Sequence, residues 1–237
     1  MNPWTLGWDI VGGRVDRLRA RARRETLRRG ERARLAEAFP ELPRSPDDPT
    51  LLALQEEYAD AHRHYVTRVS DAAQPVSLKS AALLAWLVRG GGHSRVVDLG
   101  SGFSSYVLRR EAARLGTVEH WAVDDDARWL ETTRRYVRDQ GSSDERIEAW
   151  ETFRRRRPFP PFDLVFHDLG NMSTRTLCLP EVAERVAPGG LLILDDMHKP
   201  EYAPHALHHL REGWTSSSLV TLTHDALGRY AYIARRS

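Results

Sequence analysis

The sequence predicts an α/β protein: a doubly wound, mostly parallel sheet of seven strands, covered by helices on both faces and preceded by a helical N-terminal extension. Three observations carry this. From residue 95 onward short apolar runs alternate with amphipathic helical stretches, the pattern of parallel strands joined by helical crossovers. One of those runs leads through Asp98-Leu99-Gly100-Ser101-Gly102 directly into a helix. The chain closes with two β-rich runs around Asp225-Ala226-Leu227-Gly228, which read as an antiparallel hairpin.

Taken in order, residues 1 to about 40 read as an Arg-rich helix, and Pro43 to Pro49 as a turn-rich linker. A second helix starts near Thr50, with Leu51, Leu54, Tyr58 and Ala61 at helical spacing. Ser77 is placed to cap a third helix, which ends at Gly90-Gly91-Gly92. Strands follow at Arg95 to Leu99, Val118 to Val123, Ile147 to Trp150, Phe162 to His167 and Leu191 to Leu194. Helices are expected at Ser104 to Leu115, Ala127 to Arg138 and Thr174 to Val186, and the hairpin at 218–223 and 229–234. The natural division is 1–75, a helical extension open to lid, acceptor or oligomer contacts, and 76–237, the α/β domain.

The 237 residues are 41% hydrophobic and 29% charged, enough to bury a real core. No apolar run reaches the roughly 20 residues a membrane span requires, and no signal peptide is legible at the N-terminus. With a single cysteine, Cys178, there is no internal disulfide framework. These features read as cytoplasmic. A net charge of +2 is too small to argue for nucleic acid. Arginines crowd the first forty residues, but lysine occurs only as Lys79 and Lys199. The cluster therefore reads as a solvated helix face with Glu25, Glu31 and Glu37 as partners, with an electrostatic patch for nucleic acid or an anionic membrane surface as the alternative.

A strand ending in Asp-x-Gly-x-Gly and entering a helix is a nucleotide-handling arrangement, because glycines let the backbone turn sharply and approach a ligand. The acidic run Asp124-Asp125-Asp126 ends the next strand, about 20 residues on, where a carboxylate can accept ribose hydroxyls. The dinucleotide fingerprint asks for a third glycine where this chain has Ser105, which argues against NAD. The stretch Val96-Val97-Asp98-Leu99-Gly100-Ser101-Gly102 instead resembles the first motif of class I S-adenosylmethionine (SAM)-dependent methyltransferases. Asp124, the strand Phe162 to Asp168 and Pro188-Gly189-Gly190-Leu191 match that family's later motifs in order. The resemblance spans roughly residues 76–237 and implies a Rossmann-like methyltransferase. It places the amino-acid end of SAM at Asp98, Leu99, Gly100, Ser101, Gly102 and Ser104, the ribose at Asp124 and the adenosine beside Asp125. The adenine contact falls to Glu151 or Thr152.

The ends of the fourth and fifth strands should overlook the transferred methyl. They carry His167-Asp168-Leu169-Gly170-Asn171 and Asp195-Asp196-Met197-His198-Lys199. Three carboxylates at one rim repel each other unless something positive sits between them, and oxygen-only ligands suit Mg²⁺. The pattern is similar to metal-dependent small-molecule O-methyltransferases of the catechol and bacterial sugar types, which implies Asp168, Asp195 and Asp196 as metal ligands. A metal-free site using the same acids stands beside that reading, as do purely structural roles, Asp168 as a helix cap and Asp195 holding backbone amides at a strand end. His198 is the expected general base, with Asp168 and Asp195 as further catalytic groups and Lys199 as a weaker base. His167 reads as a satisfied core histidine. His205 and His209 lack a third ligand for a metal. Tyr58, His62, His64, Tyr65, Trp4 and Trp8 are the extension's residues that could reach an acceptor, though packing accounts for most of them.

The expected reaction is methyl transfer from SAM to a small-molecule hydroxyl. Methylation of RNA, protein or an amine, a non-catalytic SAM-binding module, and an NAD-dependent oxidoreductase are the alternatives. No Asn-Pro-Pro-Tyr-type amino-methylation motif follows the fourth strand. A homodimer is compatible with the extension; membrane and nucleic acid are not expected partners.

Overall fold

The computed structural model describes residues 3–71, 73–156 and 160–237. Seven strands form one sheet in the order β3-β2-β1-β4-β5-β7-β6: β1 Arg95–Leu99, β2 Glu119–Asp124, β3 Ile147–Ala149, β4 Phe162–His167, β5 Val186–Leu194, β6 Trp214–Ser218 and β7 Tyr232–Arg236. The first five run parallel, while β7 is antiparallel to both β5 and β6. The expected architecture, a mostly parallel seven-stranded sheet closed by an antiparallel pair, is the observed one.

Its two faces follow from the period-2 alternation of the strands. Val96, Leu164, Phe166, Leu191 and Ile193 bury into one core. Val97, Leu99, Val165, Leu192 and Leu194 bury into the other. The first face is covered by α2 Pro49–Arg68, α3 Leu78–Gly90, α4 Phe103–Leu115 and α5 Ala127–Asp139. The second takes α6 Trp150–Arg155, α7 Met172–Glu184 and α8 Ala203–His209. Leu51, Leu54, Tyr58 and Tyr65 of α2 share one core with α3, α4 and the sheet, so apolar packing runs unbroken across residue 75.

The caps sit where the side chains allow them. Asp48 accepts from the backbone of Thr50 and Leu51, Ser77 from Ser80, and Asp126 from Arg128 and Trp129. The long α1, Pro3–Ala38, lies against β6 and α9 Val220–Thr223. Glu31 of α1 is fully buried and accepts from the Ser218 hydroxyl at 2.7 Å and the Thr221 amide at 2.8 Å. Arg19, Arg21, Arg23, Arg28, Arg32 and Arg34 of the same helix are exposed, in keeping with a solvated face. The side chains of Trp4 and Trp8 lie outside the described residues.

Two expectations need correction. The closing antiparallel pair exists, but its first strand is 214–218 rather than 218–223. Residues 220–223 form a helical turn held by Glu31 and by burial of Val220 and Leu222, so tertiary contacts override the β-branched preference. The fifth strand begins at Val186, since Pro188-Gly189-Gly190 is absorbed into it as an irregularity opposite β4 instead of forming a separate turn.

Candidate active site

The strand order reverses between β1 and β4, the position at which open α/β sheets bind ligands beyond their carboxyl ends. A cavity of about 690 Å³ lies there, lined by the loops after β1, β2, β4 and β5 and by residues 73–76 ahead of α3. That volume lies within the range of small-molecule and cofactor sites.

The loop after β1 is held from three sides. The Gly100 amide donates to Val123 at 2.8 Å, and the Asp168 amide donates to Leu99 at 2.6 Å. Trp129 of α5 donates its indole N–H to the Ser101 carbonyl. Gly100 has φ +108°, and a Cβ there would collide with the Asp168 carbonyl. Only glycine suits this close approach of two loops.

Asp98 lies beneath that loop, fully buried. Its Oδ2 accepts from the hydroxyls of Ser104 at 2.8 Å and Ser105 at 2.5 Å, while Ser105 Oγ accepts from the Gly102 amide at 3.1 Å. Ser105 therefore does here what a third glycine could not: it ties the first turn of α4 to the strand-end carboxylate. Asp98 Oδ1 is buried with no partner, and burial raises the carboxyl to a pKa of about 7. Neither Asp98 nor Leu99 lines the cavity, whereas Gly100, Ser101, Gly102 and Ser104 do. Direct contact of Asp98 and Leu99 with a ligand is thus not what the geometry offers; Asp98 shapes the loop from behind.

Asp124 ends β2 on the cavity wall. Its Oδ2 accepts from Ser101 Oγ at 3.1 Å and its Oδ1 from the Asp126 amide at 3.0 Å. Burial raises its pKa to about 6. Asp125 lines the cavity beside Gly170, where an added Cβ would stand 2.7 Å from its Oδ2. Thr152 and Glu151 do not line it. Both are exposed on α6, because Trp150 and Phe153 take that helix's inward phase. The ligand-facing surface next to Asp125 comes instead from Asn171 and Met172.

Asp168, Asp195 and Asp196 all line the far end, as the sequence suggests. The positive group between them is Arg175 of α7. Its Nη2 pairs with Asp168 Oδ1 at 2.5 Å and donates to the carbonyls of Asp168 and Gly170 at 2.9 and 3.1 Å. Its Nη1 donates to Asp196 Oδ2 at 3.1 Å. Burial and the neighbouring acids push Asp168 upward from the carboxylate range, with Arg175 opposing them. Burial, then Asp196, raises Asp195 to about 6, and Asp195 Oδ1 accepts from the Asp196 amide at 2.8 Å. As arranged, these three acids do not fit Mg²⁺: a guanidinium engages two of them, and a backbone amide takes an oxygen of the third. Among the described residues no group of three His, Cys, Asp or Glu side chains is placed to hold a metal. Asp168 is not a helix cap either, since Asn171 caps α7 by accepting from Thr174.

His198 does not line the cavity, although its neighbours Asp195, Asp196 and Lys199 do. Its ring lies against Tyr230, and Nδ1 stands 3.5 Å from Asp196 Oδ1. Burial lowers its pKa. His167 is a core histidine, its Nε2 3.1 Å from the Arg175 carbonyl, and burial lowers it to about 3. In α2, Tyr58 donates to Glu111, His62 meets the Val76 carbonyl at 3.1 Å, Tyr65 packs edge-on to Tyr136, and His64 stacks on Tyr136. These contacts are packing.

Sequence reasoning missed Arg175, Trp129, Arg229 and the 73–76 wall. In a chain whose basic residues are nearly all arginine, one more on a helix carries no signal.

A glycine loop at the β1–β4 switch point, an acid ending β2 and an acidic rim beyond β4 and β5 thus share one cavity of a Rossmann-like sheet. Residues 97–197 match the family model described as a methyltransferase domain. A search of curated proteins finds no match. Among solved structures, the chain resembles the O-methyltransferase TomG from Streptomyces achromogenes, involved in tomaymycin synthesis and solved with SAM: TM-score 0.56, 15% identity, covering 89% of this chain and 97% of that one. The O-methyltransferase from Bacillus cereus, in complex with SAH, aligns at TM-score 0.55 with 16% identity over 90% of this chain and 100% of that one. The methyltransferase PaMTH1 from Podospora anserina, bound to SAH, aligns at 0.58 with 13% identity over 80% and 88%.

Proposed function

We propose that this protein transfers the methyl group of SAM to a hydroxyl of a small-molecule acceptor, with Asp195 taking the hydroxyl proton. The observation that carries this is the single cavity joining Gly100, Ser101, Gly102 and Asp124 at one end to Asp195 at the other. The O-methyltransferases that share the fold support oxygen as the methylated atom.

SAM, when bound, supplies an electrophilic methyl on a sulfonium. The chain's own residues position the two reactants, which is most of what an in-line displacement needs. Asp124 accepts the ribose hydroxyls, and the Gly100–Gly102 backbone with Ser104 meets the amino-acid end. Asp195 suits general-base work better than His198, because it lines the cavity and its raised pKa of about 6 lies near the operating pH. Residues 73–76 and Arg229, which donates to the carbonyls of Ala73 and Pro75 at 3.0 and 2.9 Å, form the acceptor side of the wall. The extension thus contributes to the acceptor pocket. Among the described residues no helix is long and apolar enough to cross a membrane, and the lone Cys178 fits a cytoplasmic setting.

Calorimetric titration with SAM and SAH, followed by methyl transfer to a panel of phenols, catechols and sugars, tests the reading. One SAH site per chain is expected, with Asp195→Ala retaining SAH binding and losing turnover. Absence of SAH binding would overturn the cofactor assignment; an Asp195→Ala variant with undiminished turnover would overturn the base.

A further inference from the structure

We infer that Arg175 is the resident cation of the acidic rim, so that acceptor binding and methyl transfer proceed without a divalent metal. The inference rests on the methyltransferase reading and concerns only how its acids are neutralised.

The guanidinium is built into the site. Its side chain is 4% exposed, it spans from Asp168 to Asp196, and two carbonyls of the β4–α7 loop accept from Nη2. It also lies over the Tyr202 ring at 5.8 Å. Burial works against its charge, yet Asp168, Asp196 and Asp195 outweigh that and raise its pKa. A planar fork of donors suits paired carboxylates as a single point charge does not.

The backbone is shaped to this pairing. Asp196 stands at φ +56°, a left-handed conformation that non-glycine residues rarely adopt, and its amide donates to Asp195 Oδ1. That kink accompanies the ion pair between Asp196 and Arg175. A Mg²⁺ ion demands near-octahedral oxygen ligands at about 2.1 Å, and would have to displace the guanidinium from both acids. Arg175 is therefore a positioning residue: it holds Asp168 and Asp196 in place and leaves Asp195 for the acceptor.

The test uses Mn²⁺ as the probe, followed by electron paramagnetic resonance on the full chain with SAH bound. Calorimetry of SAH itself runs alongside with chelator present. The wild type is expected to bind SAH equally well with or without chelator and to show no saturable Mn²⁺ site. Arg175→Ala, which opens three carboxylates to one another, is expected to gain one Mn²⁺ per chain, and Arg175→Lys to gain none. A saturable Mn²⁺ site in the wild type, lost in Asp168→Ala, would overturn the inference whether or not the Arg175 variants fold. Failure of SAH to bind would instead strike the methyltransferase reading, so the two failures are distinct.

Discussion

Gly100 and Asp168 are locked back to back at the sheet's switch point: the Asp168 carbonyl fills the space a Cβ on Gly100 would need, and the Asp168 amide donates to Leu99. The floor of the glycine loop and the start of the acidic rim are thereby one structural unit. Changes to either loop should be felt in the other.

Gly100→Ala combines a steric clash with a φ of +108° that alanine does not tolerate. The strain alone is of order 1–3 kcal/mol. The expected outcome is a lowered melting temperature together with loss of SAH binding, measured by thermal shift and calorimetry. A variant with normal melting and normal affinity would show that the loops are not coupled.

Asp124 should make SAH affinity depend on pH. Its pKa of about 6 lies above the ordinary carboxylate value because of burial. At pH 7 and above it is ionised and, on the proposed reading, free to accept ribose hydroxyls; as pH falls through about 6 it takes up a proton and loses acceptor capacity. Affinity is expected to drop by about tenfold for one unit of pH well below that pKa. Asp124→Asn should bind more weakly and lose this slope. Calorimetry across the range decides it, and a wild-type affinity that stays flat would remove Asp124 from the ribose.

Asp98 should instead make stability depend on pH. Its folded pKa of about 7 exceeds the unfolded value of 3.8, so the unfolded chain ionises first as pH rises. The native state therefore loses stability from about pH 4 upward until the folded pKa is passed. Asp98→Asn removes that ionisation. Its melting temperature relative to wild type should become steadily more favourable between about pH 4 and about pH 7 and level off above that. A constant difference would mean that Asp98 does not titrate in this window.

The extension should unfold together with the sheet. Glu111 of α4 is fully buried and accepts from Tyr58 of α2 and, at 2.6 and 2.8 Å, from Arg89 of α3, which also donates to Glu57 at 2.7 Å. Glu111→Ala strips this junction and is expected to cost about 3 kcal/mol. Denaturant unfolding followed by tryptophan fluorescence and circular dichroism should give one coincident transition in the wild type. Two separated transitions would mark residues 1–75 as an independent unit.

The parallel core and the glycine loop after β1 were legible because their signals are local. Val96 to Leu99 and Leu191 to Leu194 are apolar runs of strand length, Ser77 caps its own helix, and Gly100 and Gly102 mark a turn within a few residues. The closing strand was misplaced because a buried Glu31, nearly two hundred residues away, turns 220–223 into a helix. Thr152 was misread for a related reason: the inward phase of α6 is set by the burial of Trp150 and Phe153.

Alone, the sequence determined the α/β class, the glycine turn after β1 and the acids Asp124, Asp168, Asp195 and Asp196 at the strand ends, since hydrophobic period and turn chemistry act over short spans. Only the tertiary structure decided which of those acids meet and what lies between them. Arg175 reaches Asp196 from another crossover, 21 residues distant, and His198 turns to Tyr230 and out of the cavity. Side-chain direction and charge pairing depend on packing between elements, and no local pattern along the chain encodes that.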